Sequence, residues 1–166
     1  WDAAAMAQLG QRAENSWVGV NCGIMDQMIS ACGKDGHALL LDCRSLQGQH
    51  VPLPDGVAVV VLDTSTRRGL VDSAYNERRA QCEVAARFFS VGALRDVDEE
   101  MFANRMHALD ETPRRRARHV ISENARTERA AEAMRQGDGR ALGLLLNESH
   151  VSLRDDFSVS SEALDA

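Results

Sequence analysis

Hydrophobic and polar positions alternate along this chain in blocks of helical and of strand character. Ala3 to Glu14 is rich in Ala, Met, Leu, Gln and Arg, and predicts a helix. Trp17 to Gly23 interrupts it with two glycines and two valines and predicts a turn or loop. Ile24, Met28 and Ala31 fall on one helical face, and Gly33 follows where glycine ends a helix. Ala38 to Cys43 is an apolar run of strand length, and Gln49 to Leu53 predicts a second strand. Pro54-Asp55-Gly56 is a turn, since proline sets φ and glycine tolerates a positive one. Val57 to Asp63 predicts the strongest strand, with Val or Leu at five of its first six positions.

Beyond Thr64-Ser65-Thr66 the periodicity turns helical. Tyr75, Arg79, Cys82, Ala86 and Phe89 recur at three- and four-residue steps, and Asp98 to Leu109 predicts a short helix. Pro113 suits a helix start, Arg114 to Gln136 predicts a long helix, and Gly137-Asp138-Gly139 breaks it. Arg140 to His150 and Ser160 to Ala166 predict two more helices. A helix, then strands, then mostly helices is an α+β order.

Composition narrows the classes. At 166 residues, 44% hydrophobic and 27% charged, the chain has room for one domain or two small halves and is neither disordered nor a disulfide knot. Its longest apolar run, Val57 to Leu62, is far below the ~18 residues of a membrane span. It opens on Trp1-Asp2-Ala3, with no export signal, so a cytoplasmic protein is expected. A net charge of −6 argues against a nucleic-acid partner. Cys22, Cys32, Cys43 and Cys82 form no CxxC pair, so reduced, mostly buried thiols are expected.

Four polar constellations could carry chemistry. In the first, Glu14 and Asp26 flank the glycine-containing turn, with Asp26 in the first turn of a helix and Gly23 open to close approach by a ligand. The same pattern also suits a carboxylate that complements a helix dipole and a solvated glutamate. The second is Asp63-Thr64-Ser65-Thr66-Arg67-Arg68 with Tyr75, where a polar cluster ends a strand. Arg67 or Arg68 could pair with a carboxylate or phosphate and Tyr75 could contact a sugar, or the cluster could simply cap a helix. The third, Arg114 to His119, is a basic run that could meet phosphate or nucleic acid, but at a net charge of −6 it reads rather as the solvated face of a helix, with Glu123 placed to pair locally with His119 and the two together only a weak metal pair. The fourth, Gly137-Asp138-Gly139-Arg140-Ala141-Leu142-Gly143, follows a helix and so does not fit a dinucleotide fingerprint.

Five strings in order resemble the galactokinases of the GHMP kinase superfamily. They are Gly19 to Gln27 (GVNCGIMDQ), Gly36 to Leu46 (GHALLLDCRSL), Arg78 to Glu83 (RRAQCE), Arg115 to Val120 (RRARHV) and Ser149 to Phe157 (SHVSLRDDF). The resemblance implies phosphoryl transfer from ATP, with Mg2+, to the anomeric hydroxyl of α-D-galactose. It makes Asp26 the catalytic carboxylate, with Arg67 near it, Gly23 and Tyr75 sugar contacts, and Glu14 a magnesium ligand. It implies the GHMP fold in part, with residues 1–60 ending an N-terminal domain and 61–166 starting a C-terminal one.

Departures from the family pattern matter as much. The Gly-Glu-His-Thr-Asp-type sugar string, the Gly-Leu-Ser-Ser-Ser phosphate loop and the Thr-Gly-Gly-Gly-Phe-Gly string do not occur in these 166 residues. A central fragment is therefore expected, inactive alone and prone to self-association through apolar faces. A sugar and ATP sensor acting on a partner protein, or an N-acetylgalactosamine kinase, would carry the same central strings.

Overall fold

A computed structural model describes residues 2–19, 22–65 and 73–166, the side chains of residues 73–75 excepted. They are mostly helical, with one two-stranded sheet. Two compact units divide them. The first holds the described residues up to Val59 together with Ala131–Gly139, and the second holds the remainder. No described helix is long and apolar enough to cross a membrane.

The first unit begins with α1 (Ala3–Ala13), whose N-terminus is capped by the Asp2 carboxylate accepting from the backbone N–H groups of Ala4 and Ala5. The predicted loop after it starts as helix: Glu14–Val18 continue α1 as one π-helical turn, closed by Gly19 at φ +78°. Glycine meets that left-handed geometry without the Cβ clash another residue would suffer. α2 (Met25–Cys32) follows, then β1 (His37–Leu41) and β2 (Gly48–Pro52), paired antiparallel with Leu39 opposite His50. Ala7, Ile24 and Met28 are buried together, with Leu39, Leu41 and Leu46 packed against them. This small core joins α1, α2 and the hairpin.

Val57 to Asp63 is not a strand. Val59, Val60, Val61 and Leu62 are 75, 73, 88 and 84% exposed, and no ladder partner exists among the described residues. An unbroken apolar run reads as a strand buried on both faces, and that state needs neighbours on either side. The glycine pair at 137 and 139 is structural too. Gly137 takes φ +70° after α5, and a Cβ on Gly139 would lie 2.9 Å from Val57 Cγ2.

The second unit contains α3 (Ser73–Phe89), α4 (Glu99–Arg105), most of α5 (Glu111–Arg135), α6 (Gly139–Ser152) after its first residue, and α7 (Glu162–Asp165). Its apolar core unites Ala85, Ala86 and Phe89 of α3 with Leu94, Phe102, Ala117 and Ile121. The stripe predicted on α3 holds at Cys82, Ala86 and Phe89 but not at Arg79, which is exposed while Arg78 faces inward.

The arginine run on α5 is the larger correction. It is not a solvated face: Arg116 is 6% and His119 6% exposed. Arg116 donates through Nε to Gln81 Oε1 (2.7 Å) and through Nη1 to the Asp156 carbonyl and Ser158 Oγ. Arg78 donates to the carbonyls of Phe157 (2.9 Å) and Ser158 (3.3 Å). Arg118 pairs with the Asp156 carboxylate at 3.0 Å. His119 Nδ1 lies 2.8 Å from Ser152 Oγ and its ring stacks on Phe157 at 4.5 Å. Glu123 acts on His119 through its charge only; the hydrogen bonds it accepts come from Arg126 and Ser149 Oγ. Two of the five strings, RRARHV and SHVSLRDDF, thus meet each other, and RRAQCE joins them through Arg78 and Gln81.

Two outcomes follow. Arg116→Met strands the acceptors on Gln81, Asp156 and Ser158. It should lower the opening free energy of the α5 amides by about 2 kcal/mol, as read by native-state hydrogen exchange; an unchanged exchange pattern would contradict the network's role. Burial, above all, depresses the His119 pKa below the ordinary imidazole value of 6.5, against the opposing pull of Glu123. A depressed folded value favours the neutral ring in the folded state. The stability contribution is therefore complete above about pH 6.5 and is lost as pH falls toward the folded value. Protection of α5 and α6 should weaken below pH 6.5, and His119→Gln should flatten that dependence.

Candidate active site

Glu14 and Asp26 come together within the first unit. α1 delivers Glu14 at the start of its π-helical turn, and Asp26 stands in the first turn of α2. Both are exposed and both line one open depression of about 380 Å³, with Met6, Ala7, Gln27, Ser30 and Ala31 as the rest of its wall. A π-turn inserts an extra residue into a helix and recurs at functional sites. Here it ends α1 with a carboxylate at the rim.

The Glu14 carboxylate is held at both oxygens. Gln27 Nε2 donates to Oε1 at 2.9 Å, and the Cys22 thiol stands 3.4 Å from Oε2 and equally 3.4 Å from Asn15 Oδ1, the carboxylate being the stronger acceptor for its one S–H. Asn15 Oδ1 accepts from the Cys22 backbone N–H (3.1 Å), and Gln11 Nε2 donates to the Cys22 carbonyl (3.3 Å). Cys22 is thereby fixed at backbone and side chain. Its thiol pKa is raised by desolvation first, and then by the hydrogen bond to, and the charge of, Glu14. It stays a thiol, and a donor, at neutral pH.

The chain is similar to a galactokinase of known structure. A crystal structure of Lactococcus lactis galactokinase complexed with galactose superposes with a TM-score of 0.88 at 35% identity. The match covers 99% of this chain. This chain is galactokinase-like. It spans 44% of the length of the Lactococcus galactokinase. No family model matches the sequence.

Against that galactokinase-like frame, Glu14 and Asp26 share one surface depression, and Gly23 lies just before α2, exposed. Arg67 lies outside the described residues, and Tyr75 is in the first turn of α3 with its side chain outside them. Among the described residues of the second polar cluster, Asp63 Oδ1 accepts from Ser65 N at 2.8 Å, a local turn contact. His119 and Glu123 are structural, and no group of three or more His, Cys, Asp or Glu among the described residues could hold a metal by itself. The cysteines are free, as expected, but none is fully buried: Cys22, Cys32 and Cys82 are half-buried and Cys43 is exposed.

Sequence reading missed the donors around Glu14. Gln27 stands one residue after Asp26 in the same string. Its contact with Glu14 crosses thirteen positions and two helices, so no local rule indicates it. A hard carboxylate oxygen fits Mg2+, which takes only one or two protein carboxylates and fills its remaining positions with water and phosphate. Glu14 meets that requirement, since each of its oxygens accepts one described hydrogen bond and keeps acceptor capacity.

The raised Cys22 pKa gives a direct check. Alkylation of Cys22 by iodoacetamide, followed by peptide mass spectrometry, should reach half its limiting rate above the ordinary thiol value of 9.0. Glu14→Gln should bring that midpoint down; a midpoint unmoved by the substitution would contradict the contact.

Proposed function

We propose that this segment supplies the catalytic carboxylate and the magnesium ligand of a galactokinase, an enzyme moving the γ-phosphoryl of ATP to the anomeric hydroxyl of galactose. The observation that carries this reading is the convergence of Glu14 and Asp26 on one depression, in a chain 35% identical over 99% of its length to a galactokinase crystallised with galactose. Galactose is favoured over N-acetylgalactosamine by that same neighbour.

Phosphoryl transfer needs positioning and charge neutralisation more than covalent chemistry from the protein. Asp26 would hold the sugar hydroxyl by accepting its hydrogen bond and take its proton as the oxygen attacks phosphorus. ADP leaves with the electrons of the broken β,γ P–O bond. Arg67 would stand near Asp26, and Gly23 and Tyr75 would contact the sugar. Glu14 would hold the magnesium ion, which supplies charge neutralisation on the phosphates when bound. In the domain scheme that goes with this reading, residues 1–60 end the N-terminal domain and 61–166 open the C-terminal one. Self-association of the 166-residue chain fits it as well, through the exposed run from Val59 to Leu62.

The test is a coupled ADP-release assay with galactose, ATP and Mg2+. It is run on the 166-residue chain, on a protein of full galactokinase length that contains it, and on each with Asp26→Ala. The longer protein should turn over, Asp26→Ala should cost about a hundred- to ten-thousand-fold, and the 166-residue chain should be silent. Turnover by the 166-residue chain would refute its expected inactivity. A longer protein that binds galactose without turnover would move the assignment to a sugar and ATP sensor.

A further inference from the structure

Among the described residues at the depression, Gln27 has two side-chain ends in opposite situations. Its Nε2 donates to Glu14 Oε1 at 2.9 Å and approaches Cys22 Sγ at 3.7 Å. Its Oε1 is buried and has no hydrogen-bond partner among the described residues. A buried, unpartnered carbonyl oxygen is disfavoured and calls for a reason. Turning the amide over does not relieve it. That would bring Oε1 against the Glu14 carboxylate, acceptor on acceptor, and leave two N–H donors where Oε1 now is. The orientation that leaves one acceptor orphaned is thus the one that gives Glu14 a donor.

The second donor has the same address. Cys22 Sγ lies 3.4 Å from both Glu14 Oε2 and Asn15 Oδ1; the ionised carboxylate is the stronger acceptor, and Asn15 Oδ1 already accepts from the Cys22 backbone N–H, while Gln11 Nε2 holds the Cys22 carbonyl. Glu14 is an exposed glutamate with three rotatable side-chain bonds. Two donors, one on each oxygen, restrict which way the carboxylate plane is turned. Groups that hold a metal ligand from behind raise affinity by fixing its orientation.

We propose that Gln27 is a positioning residue: its side-chain amide, assisted by the thiol of Cys22, fixes the Glu14 carboxylate in the orientation that binds a divalent cation. This rests on the reading of Glu14 as the magnesium ligand. The amide and thiol touch neither metal nor substrate. They act through Glu14.

The probe is Mn2+ alone, titrated into a 15N-labelled protein of full galactokinase length that contains this chain, with binding read as paramagnetic broadening of the amides of Glu14, Asp26 and Gln27. Glu14→Gln should abolish local broadening. Gln27→Met, which keeps the volume and removes the donor, should require about ten- to a hundred-fold more Mn2+. Cys22→Ala should weaken binding, and Cys22→Ser, which restores an O–H donor, should recover part of it; a purely packing role for Cys22 would not distinguish the two. If Gln27→Met binds like the wild type while Glu14→Gln does not, the positioning role fails and the metal reading survives. If the wild type shows no local broadening, or Glu14→Gln binds unchanged, the metal reading fails and takes this inference with it. Should Gln27→Met lose its dispersed spectrum, the Cys22 pair decides: equal affinity for Ala and Ser at the wild-type level overturns the proposal.

Discussion

The packing of α1 on α2 is the constraint from which the candidate site follows. Ala7 of α1, Met28 of α2 and Ile24 just before it are buried against one another, and this contact, with the Gln11 and Asn15 hydrogen bonds to Cys22, sets Glu14 beside Gln27 across thirteen residues. Ala7 is small enough to let the helices approach. In that packed arrangement the Cys22 thiol and the Gln27 amide lie at the Glu14 oxygens. The polar cluster is therefore a consequence of an apolar one. Buried area holds the helices, and the hydrogen bonds then select one orientation for an exposed carboxylate.

The second unit inverts that division of labour. Its core of Ala85, Phe89, Phe102 and Ile121 is ordinary, but beside it lie buried Arg116 and His119. A guanidinium deprived of water needs several acceptors, and Arg116 finds them on Gln81, Asp156 and Ser158. Polar strings that look like chemistry are here architecture. In the first unit the string GVNCGIMDQ brings Asp26 to the depression and Cys22 and Gln27 to Glu14. Shared strings alone do not separate a site from a scaffold. Burial and partners do: Asp26 is exposed, whereas Arg116 and His119 are enclosed.

Most elements were legible because their signals are local. The helix-forming run from Ala3 and the glycines at 33 and 137 mark helices and their ends without any tertiary information. The two strands were legible as short runs, Ala38 to Cys43 and Gln49 to Leu53, while their antiparallel pairing is seen only in the structure. Val57 to Asp63 misled because strand formation is a property of a ladder, and one segment's valines report only its fitness to join one. Arg116 misled for a related reason. Charge predicts exposure only when no acceptors wait inside, and its acceptors lie 35 to 42 residues away in sequence. At the candidate site, Glu14 and Asp26 could be named from the chain, while the donors that hold Glu14 could not.

Both units end a helix in the same way. α1 runs into a π-turn over Glu14–Val18 and stops at Gly19 in the left-handed region; α6 runs into one over Leu153–Phe157 and stops at Ser158, φ +57°. A π-turn lengthens the hydrogen-bonded ring, so Gly19 N–H reaches the Glu14 carbonyl and Ser158 N–H that of Leu153. The turn's remaining carbonyls are then left without helical partners. In the second unit those of Asp156 and Phe157, and that of the capping Ser158, are taken by Arg116 and Arg78. Serine in a left-handed conformation is disfavoured, and its hydroxyl is engaged by the same Arg116. The two arginines thus stabilise a helix end that would otherwise fray. The first unit meets the left-handed position with glycine instead of serine. Glycine removes the steric cost at position 19, and the side chain carried by the turn, Glu14, remains available at the rim of the depression, where Asp26 already stands.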